Sequence, residues 1–101
     1  MKKVINGKLY DTETAKMLGS YSQGNERNFE HIKETLYRKK GGDYFIYGEG
    51  GACTDYAVEV DDSYWQAGED IRTLSEESAR RWAEENMTVE EYIKAFGAVQ
   101  E

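Results

Sequence analysis

Apolar and polar positions alternate along this chain in short extended pieces and then, near its end, settle into a helical period. In VINGKLY, Asn6-Gly7 stands between Val4-Ile5 and Lys8-Leu9. Asn-Gly tolerates the positive φ angles of a type I′ turn, so the spacing predicts a hairpin with Val4 opposite Leu9. In the stretch that follows, Asp11 or Thr12 can cap a short helix that carries Ala15, Met17 and Leu18 and stops at Gly19. GSYSQGNERN, residues 19–28, is polar and broken by glycine, which predicts a surface loop before a brief segment around Phe29 and Ile32.

The clearest strand pair lies in residues 34–47. A two-residue turn at Gly41-Gly42 sets Arg38 opposite Phe45, Tyr37 opposite Ile46 and Leu36 opposite Tyr47. Tyr37, Lys39, Tyr44 and Ile46 then share one face, and Leu36, Arg38, Phe45 and Tyr47 the other. Apolar groups on both faces place this hairpin inside a sheet, with one side against helices. A further strand is expected at residues 70–74.

The last third is helical by punctuation as well as by period. Ser75 can cap a helix with Ala79, Trp82 and Ala83 on its apolar side, and Leu74 outside the cap can staple to Ala79. Trp82 is its anchor, and truncating it is expected to cost roughly 3 to 5 kcal/mol. Thr88 opens a second helix by a capping box with Glu91 and a staple between Met87 and Tyr92. Its stripe is Val89, Tyr92, Ile93 and Phe96, and Gly97 stops it. The expected fold class is α+β, a small antiparallel sheet of hairpins packed against C-terminal helices, in one domain spanning 1–101.

Composition supports a folded chain. Of 101 residues, 39% are hydrophobic and 13% aromatic, too much apolar and ring surface for a disordered tail. Cys53 is the single cysteine, so no internal disulfide can form, and no charged-then-apolar leader opens the chain. No apolar run is long enough to span a bilayer. The reducing cytoplasm is the expected compartment.

The net charge is −7, and it is unevenly distributed. Residues 1–41 hold nine Lys or Arg against five Asp or Glu, while residues 42–101 hold four against fifteen. A compact acidic half of that density repels nucleic acid and attracts a basic surface.

GGDYFIYGEGGA, residues 41–52, raises the question of a phosphate-cradling loop. Such a loop needs amides converging at a helix start, a Lys to meet the charge and often a Ser or Thr for a metal. Here Glu49 would sit in the cradle, and acid follows rather than base. The two glycine clusters are read instead as tight turns that let the strand leave sharply after Tyr47.

Catalytic chemistry has little to work with. His31 and Cys53 are each single, and no nucleophile, base and orienting group come together in the sequence. His31 reads as a surface or half-buried side chain and Cys53 as a small packed hydrophobe. The adjacent pairs Asp61-Asp62, Glu69-Asp70, Glu76-Glu77, Glu84-Glu85 and Glu90-Glu91 lack the spacing of a calcium loop, so neither metal nor cofactor is expected. Glu76, Glu77, Glu90 and Glu91 fall in first turns, where a carboxylate complements the helix dipole. Glu84 and Glu85 sit near a helix end that disfavours them, so another pressure, solubility or a basic partner, must account for them.

INGKLYDTETA, ETLYRKKGGDYFIYGEGGA and LSEESARRWAEEN resemble small proteins found on plasmids, conjugative elements and phages of gut-type Firmicutes and relatives, some of which resemble anti-CRISPR proteins. The likeness covers nearly the whole chain and is most specific in YDTETA and in ETLYR with the glycine pattern after it. Related sequences carry a proline before the LSEE helix where this chain has Thr73. The resemblance implies a non-catalytic inhibitor that occupies a basic nucleic-acid channel on a Cas effector.

The expected function is therefore inhibition by nucleic-acid mimicry, a DNA mimic whose partner is a protein with a basic surface. The expected contact residues are Asp61, Asp62, Glu69, Asp70, Glu76, Glu77, Glu84 and Glu85. A runner-up is a nucleic-acid-binding accessory protein that uses Tyr37, Arg38, Lys39, Lys40 and Tyr44 to steer phosphates and stack bases. A self-associating module is the third reading.

Overall fold

The computed structural model describes residues 1–25 and 27–101. Eight strands precede two helices: β1 (Lys2–Ile5), β2 (Lys8–Asp11), β3 (Lys16–Gln23), β4 (Ile32–Arg38), β5 (Tyr44–Gly50), β6 (Val58–Asp61), β7 (Tyr64–Gln66), β8 (Gly68–Leu74), α1 (Glu76–Asn86) and α2 (Val89–Phe96). The central antiparallel sheet runs β3-β4-β5-β8, and β1-β2 and β6-β7 are separate two-stranded sheets. The α+β reading holds. The first hairpin, however, does not extend the central sheet but packs across it.

Two clusters fill the two sides of that sheet. On one, Leu36, Tyr44 and Ile46 meet Ala79 and Ala83 of α1, with Trp82, Tyr92 and Phe96 against them. On the other, Phe45 and Ile71 meet Tyr10 of the first hairpin, with Tyr37 and Tyr47 alongside. Tyr37 stacks on Phe45 at 5.1 Å between centroids, and Tyr10 meets Phe45 edge-on at 5.5 Å. Burying aromatic surface on both faces of β5 makes it the spine of the molecule.

The first hairpin forms as its turn chemistry requires, with φ 51° at Asn6, φ 79° at Gly7 and Val4 opposite Leu9. Both helix starts also follow from local sequence. Ser75 accepts from the Ser78 amide, and Thr88 and Glu91 close a reciprocal capping box. Gly97 ends α2 at φ 95°.

The central hairpin differs by one residue in register. Arg38 pairs with Tyr44, Tyr37 with Phe45 and Leu36 with Ile46. Lys39 closes the loop by donating its amide to the Asp43 carbonyl at 2.8 Å, and Gly42 donates to the Lys39 carbonyl at 2.9 Å with φ 99°. This is a three-residue loop with a bulge glycine, not a two-residue turn. A one-residue slip moves every β4 side chain to the opposite face. Leu36 thereby joins Tyr44 and Ile46 under the helices, and Tyr37 joins Phe45 beneath the first hairpin.

Two further expectations are corrected. The helix expected from Asp11 or Thr12 to Gly19 is instead a turn leading into β3, which pairs with β4 from Lys16 to Gln23 and takes in much of the expected 19–28 loop. A helix that short is marginal alone, whereas the free edge of β4 supplies a ladder of hydrogen bonds interrupted only by a bulge between Met17 and Gly19. The second glycine cluster does not end a strand at Tyr47, since β5 continues to Gly50 with Gly48 and Gly50 buried. A Cβ on Gly48 would lie 2.1 Å from the Tyr56 ring, so this glycine exists to let Tyr56 lie on the sheet.

Candidate interaction surface

The residue that organises one face of the sheet is Glu34 on β4. Its carboxylate accepts from the Tyr56 hydroxyl at 2.5 Å and from Trp82 Nε1 at 3.0 Å. Tyr56 comes from the loop before the β6-β7 ribbon and Trp82 from the middle of α1. One side chain therefore ties the root of the ribbon and the first helix to the same face. Arg72 covers the other side of Tyr56, 4.3 Å from its ring centre, and donates to the Asp55 carbonyl at 2.9 Å. Burial first, then the Glu34 carboxylate, push the Tyr56 phenol above its ordinary pKa, against the opposing charge of Arg72.

The sheet separates charge as well as core. Lys2, Lys3 and Lys8 ride on the first hairpin over one face, where Lys39 also lies 4.2 Å above the Tyr10 ring. Glu76, Glu77, Glu84, Glu85, Glu90 and Glu91 ride on the helices over the opposite face. The separation is partial, because Glu49 and Glu69 share the first-hairpin face with Tyr47, and Arg80, Arg81 and Lys94 ride on the helices among the glutamates.

The eight expected contact residues occupy three elements. Asp61 and Asp62 lie at the turn of the β6-β7 ribbon, Glu69 and Asp70 on β8, and the other four on α1. Three are engaged by cations: Asp70 by Lys3 at 2.5 Å and Arg72 at 3.9 Å, Glu76 by Arg80 at 3.7 Å and Glu77 by Arg81 at 3.1 Å. Glu69 accepts from the Tyr47 hydroxyl. Burial, followed by the carboxylates of Glu69 and Glu49, raises the Tyr47 phenol pKa. Among the described residues no cation pairs with Asp61, Asp62, Glu84 or Glu85. The acidic surface is therefore not one uniform rail. Its unneutralised carboxylates sit at the ribbon tip and at the end of α1.

The basic hairpin offers less than its sequence suggests. Tyr44 is 6% exposed and stacks on Phe96, and Tyr37 is held against Phe45. Arg38 is half-buried and donates to the Ala95 carbonyl at 3.3 Å. Neither ring is free to stack a base. Lys39 and Lys40 remain, lining a cleft of about 310 Å³ with Thr14, Lys16 and Arg38.

His31 and Cys53 do not form a pair. His31 Nδ1 lies 2.7 Å from the Asn28 carbonyl, and Cys53, expected to be packed, is exposed in the 52–57 loop. No hydrogen bond joins them among the described residues. His31 lines a cleft of about 410 Å³ with Glu49 and Glu69, yet no group of three or more His, Cys, Asp or Glu among the described residues is arranged to hold a metal. Among the described residues no helix is long and apolar enough to cross a membrane.

Sequence reasoning missed two features here. Glu34 as a junction was invisible because its partners lie 22 and 48 residues away. The exposed ribbon was also missed, although VEVDDSYW carries the alternation and turn residues that mark a hairpin. No family model matches this chain, and neither curated proteins nor solved structures show a match to it.

Proposed function

We propose that this protein is a non-catalytic inhibitor that binds the basic, nucleic-acid-binding surface of another protein, as anti-CRISPR proteins do when they occupy the channel of a Cas effector. The observation that carries this reading is the set of carboxylates on α1 and at the ribbon tip that no cation engages among the described residues. The helices and the root of the ribbon stand on the same face, and Asp61, Asp62, Glu84 and Glu85 are left there or beyond without a cationic neighbour among the described residues. Carboxylates held on a rigid framework imitate the phosphates of a nucleic acid and steer a basic partner toward them. Glu76 and Glu77 serve the helix start and their own arginines, so their share in binding is smaller.

The runner-up, direct nucleic-acid binding by the 38–40 hairpin, keeps the support of the cleft lined by Lys16, Arg38, Lys39 and Lys40. The buried Tyr44 and stacked Tyr37 weigh against base stacking there.

The test is inhibition of a Cas effector's target binding, using the wild type and a triple variant, Glu77→Lys, Glu84→Lys and Glu85→Lys. The triple variant is expected to lose inhibition while its circular dichroism melt stays near wild type. Retained inhibition removes α1 from the mechanism. A gel shift of DNA by the wild type at low salt would favour the runner-up instead.

A further inference from the structure

The β6-β7 ribbon exposes apolar groups that no core requirement explains. Val58, Val60, Tyr64 and Trp65 are 46%, 53%, 59% and 50% exposed, and every residue of both strands is exposed. An uncovered two-stranded ribbon is marginally stable by itself, and a cluster of exposed aromatic and branched side chains marks a docking surface. From Thr54 to Ile71 the sequence contains no Lys or Arg, while Asp55, Glu59, Asp61, Asp62, Glu69 and Asp70 all fall within it.

The strand register combines these two properties. Trp65 stands directly opposite Glu59, and Tyr64 directly opposite Asp61. Cross-strand neighbours have Cβ atoms roughly 4.5 to 5.5 Å apart, so each ring has a carboxylate beside it. Successive strand residues face opposite ways, so the two pairs lie on opposite sides of the ribbon. Asp61 already accepts from the Ser63 amide at 3.2 Å, which leaves Glu59/Trp65 as the open pair. A ring face next to a carboxylate suits one side chain above others. The arginine guanidinium is planar and weakly hydrated, stacks on aromatic faces and pairs with carboxylates through the same group. A lysine ammonium is a compact, strongly hydrated charge that gains mainly from the carboxylate. The fold already contains this arrangement at the root of the ribbon, where Arg72 lies 4.3 Å over Tyr56 and 3.9 Å from Asp70.

We propose that the β6-β7 ribbon is an arginine-reading element, which docks a basic partner protein through the pair Glu59/Trp65. This rests on the reading of the protein as a binder of basic protein surfaces and names the chemistry by which it selects among them.

The test titrates the full chain with oligoarginine and oligolysine peptides of equal length at low and moderate salt, followed by calorimetry. Oligoarginine is expected to bind about tenfold more tightly. Trp65→Ala should bring the ratio close to one with little change for oligolysine, and Trp65→Phe should retain part of the preference. Glu59→Gln, which leaves the ring in place, should lower the ratio without altering the fold. Glu84→Gln with Glu85→Gln should weaken both peptides alike and leave the ratio unchanged. Equal affinities for the two peptides, or a preference that survives Trp65→Ala, overturns the arginine reading and leaves the basic-partner reading intact. Binding of neither peptide at low salt overturns both. Light scattering that shows a concentration-dependent dimer, abolished by Trp65→Ala, would assign the ribbon to a second copy of this chain and overturn the proposal.

Discussion

Tyr56 and Glu34 lie 22 residues apart in sequence and share a hydrogen bond of 2.5 Å above the glycine at position 48. Three requirements converge on this contact: a ring flat on the sheet, a carboxylate to accept its hydrogen bond, and a strand position without a Cβ. Trp82 donates to the same carboxylate, so the contact also holds α1 in place.

Glu34→Ala leaves the buried Tyr56 hydroxyl and the Trp82 indole N–H without their acceptor. An unsatisfied buried donor costs about 1 to 3 kcal/mol, and urea unfolding should show a loss of that order. Tyr56→Phe removes one donor together with the need for it and should cost less than Glu34→Ala. A double-mutant cycle should return a coupling energy, and strict additivity would show that the two residues are not energetically linked.

Gly48→Ala forces a methyl group to within 2.1 Å of the Tyr56 ring, whereas Gly41, with nothing within 4 Å and no positive φ, accepts one freely. Overpacking of this kind costs about 1 to 3 kcal/mol. Thermal melts should therefore show a clear loss for Gly48→Ala and almost none for Gly41→Ala. Pairing Gly48→Ala with Tyr56→Ala should restore part of the loss caused by the methyl group.

Alkaline pH should destabilise the fold through Tyr47 and Tyr56. Both phenols are raised above their ordinary value near 10, first by burial and then by the carboxylates they meet. A group whose pKa rises on folding holds its proton more tightly in the folded state. Its contribution is complete below pH 10 and is lost as pH climbs toward the folded-state value. Absorbance near the phenolate band should show these tyrosines titrating together with unfolding, and Tyr47→Phe should reduce the pH dependence. Early, independent titration of all eight tyrosines would contradict this.

Thr88→Ala removes the side chain that accepts from the Glu91 amide at 3.1 Å and leaves half of the capping box. Loss of a cap costs about 1 kcal/mol. Hydrogen exchange should speed up in the first turn of α2 more than in β4 or β5, because α2 is the last element and the shorter of the two helices. Uniform acceleration across the sheet would mean that α2 does not open separately.

The caps and turns were legible because their determinants lie within four residues of one another. Asn6-Gly7, Ser75, the Thr88/Glu91 box and Gly97 each act through backbone angles or amides close by in sequence, and each does in the structure what its chemistry predicts. The 34–47 hairpin was legible as a pair of strands but not in its register. KKGG accommodates either a two-residue turn or a three-residue loop with a bulge, and only packing against both cores selects between faces for Leu36 and Tyr37.

β3 was misread for a related reason: Lys16–Gln23 has no strong period of its own, and its conformation comes from the free edge of β4. The excess of acid in residues 42–101 followed from composition alone. Its division into neutralised and free carboxylates did not, because Lys3 reaches Asp70 from 67 residues away. Local chemistry thus determined where this chain turns and where its helices begin. Tertiary structure decided which faces are buried, which charges remain exposed and where Glu34 stands, since those outcomes depend on distances that no short window of sequence contains.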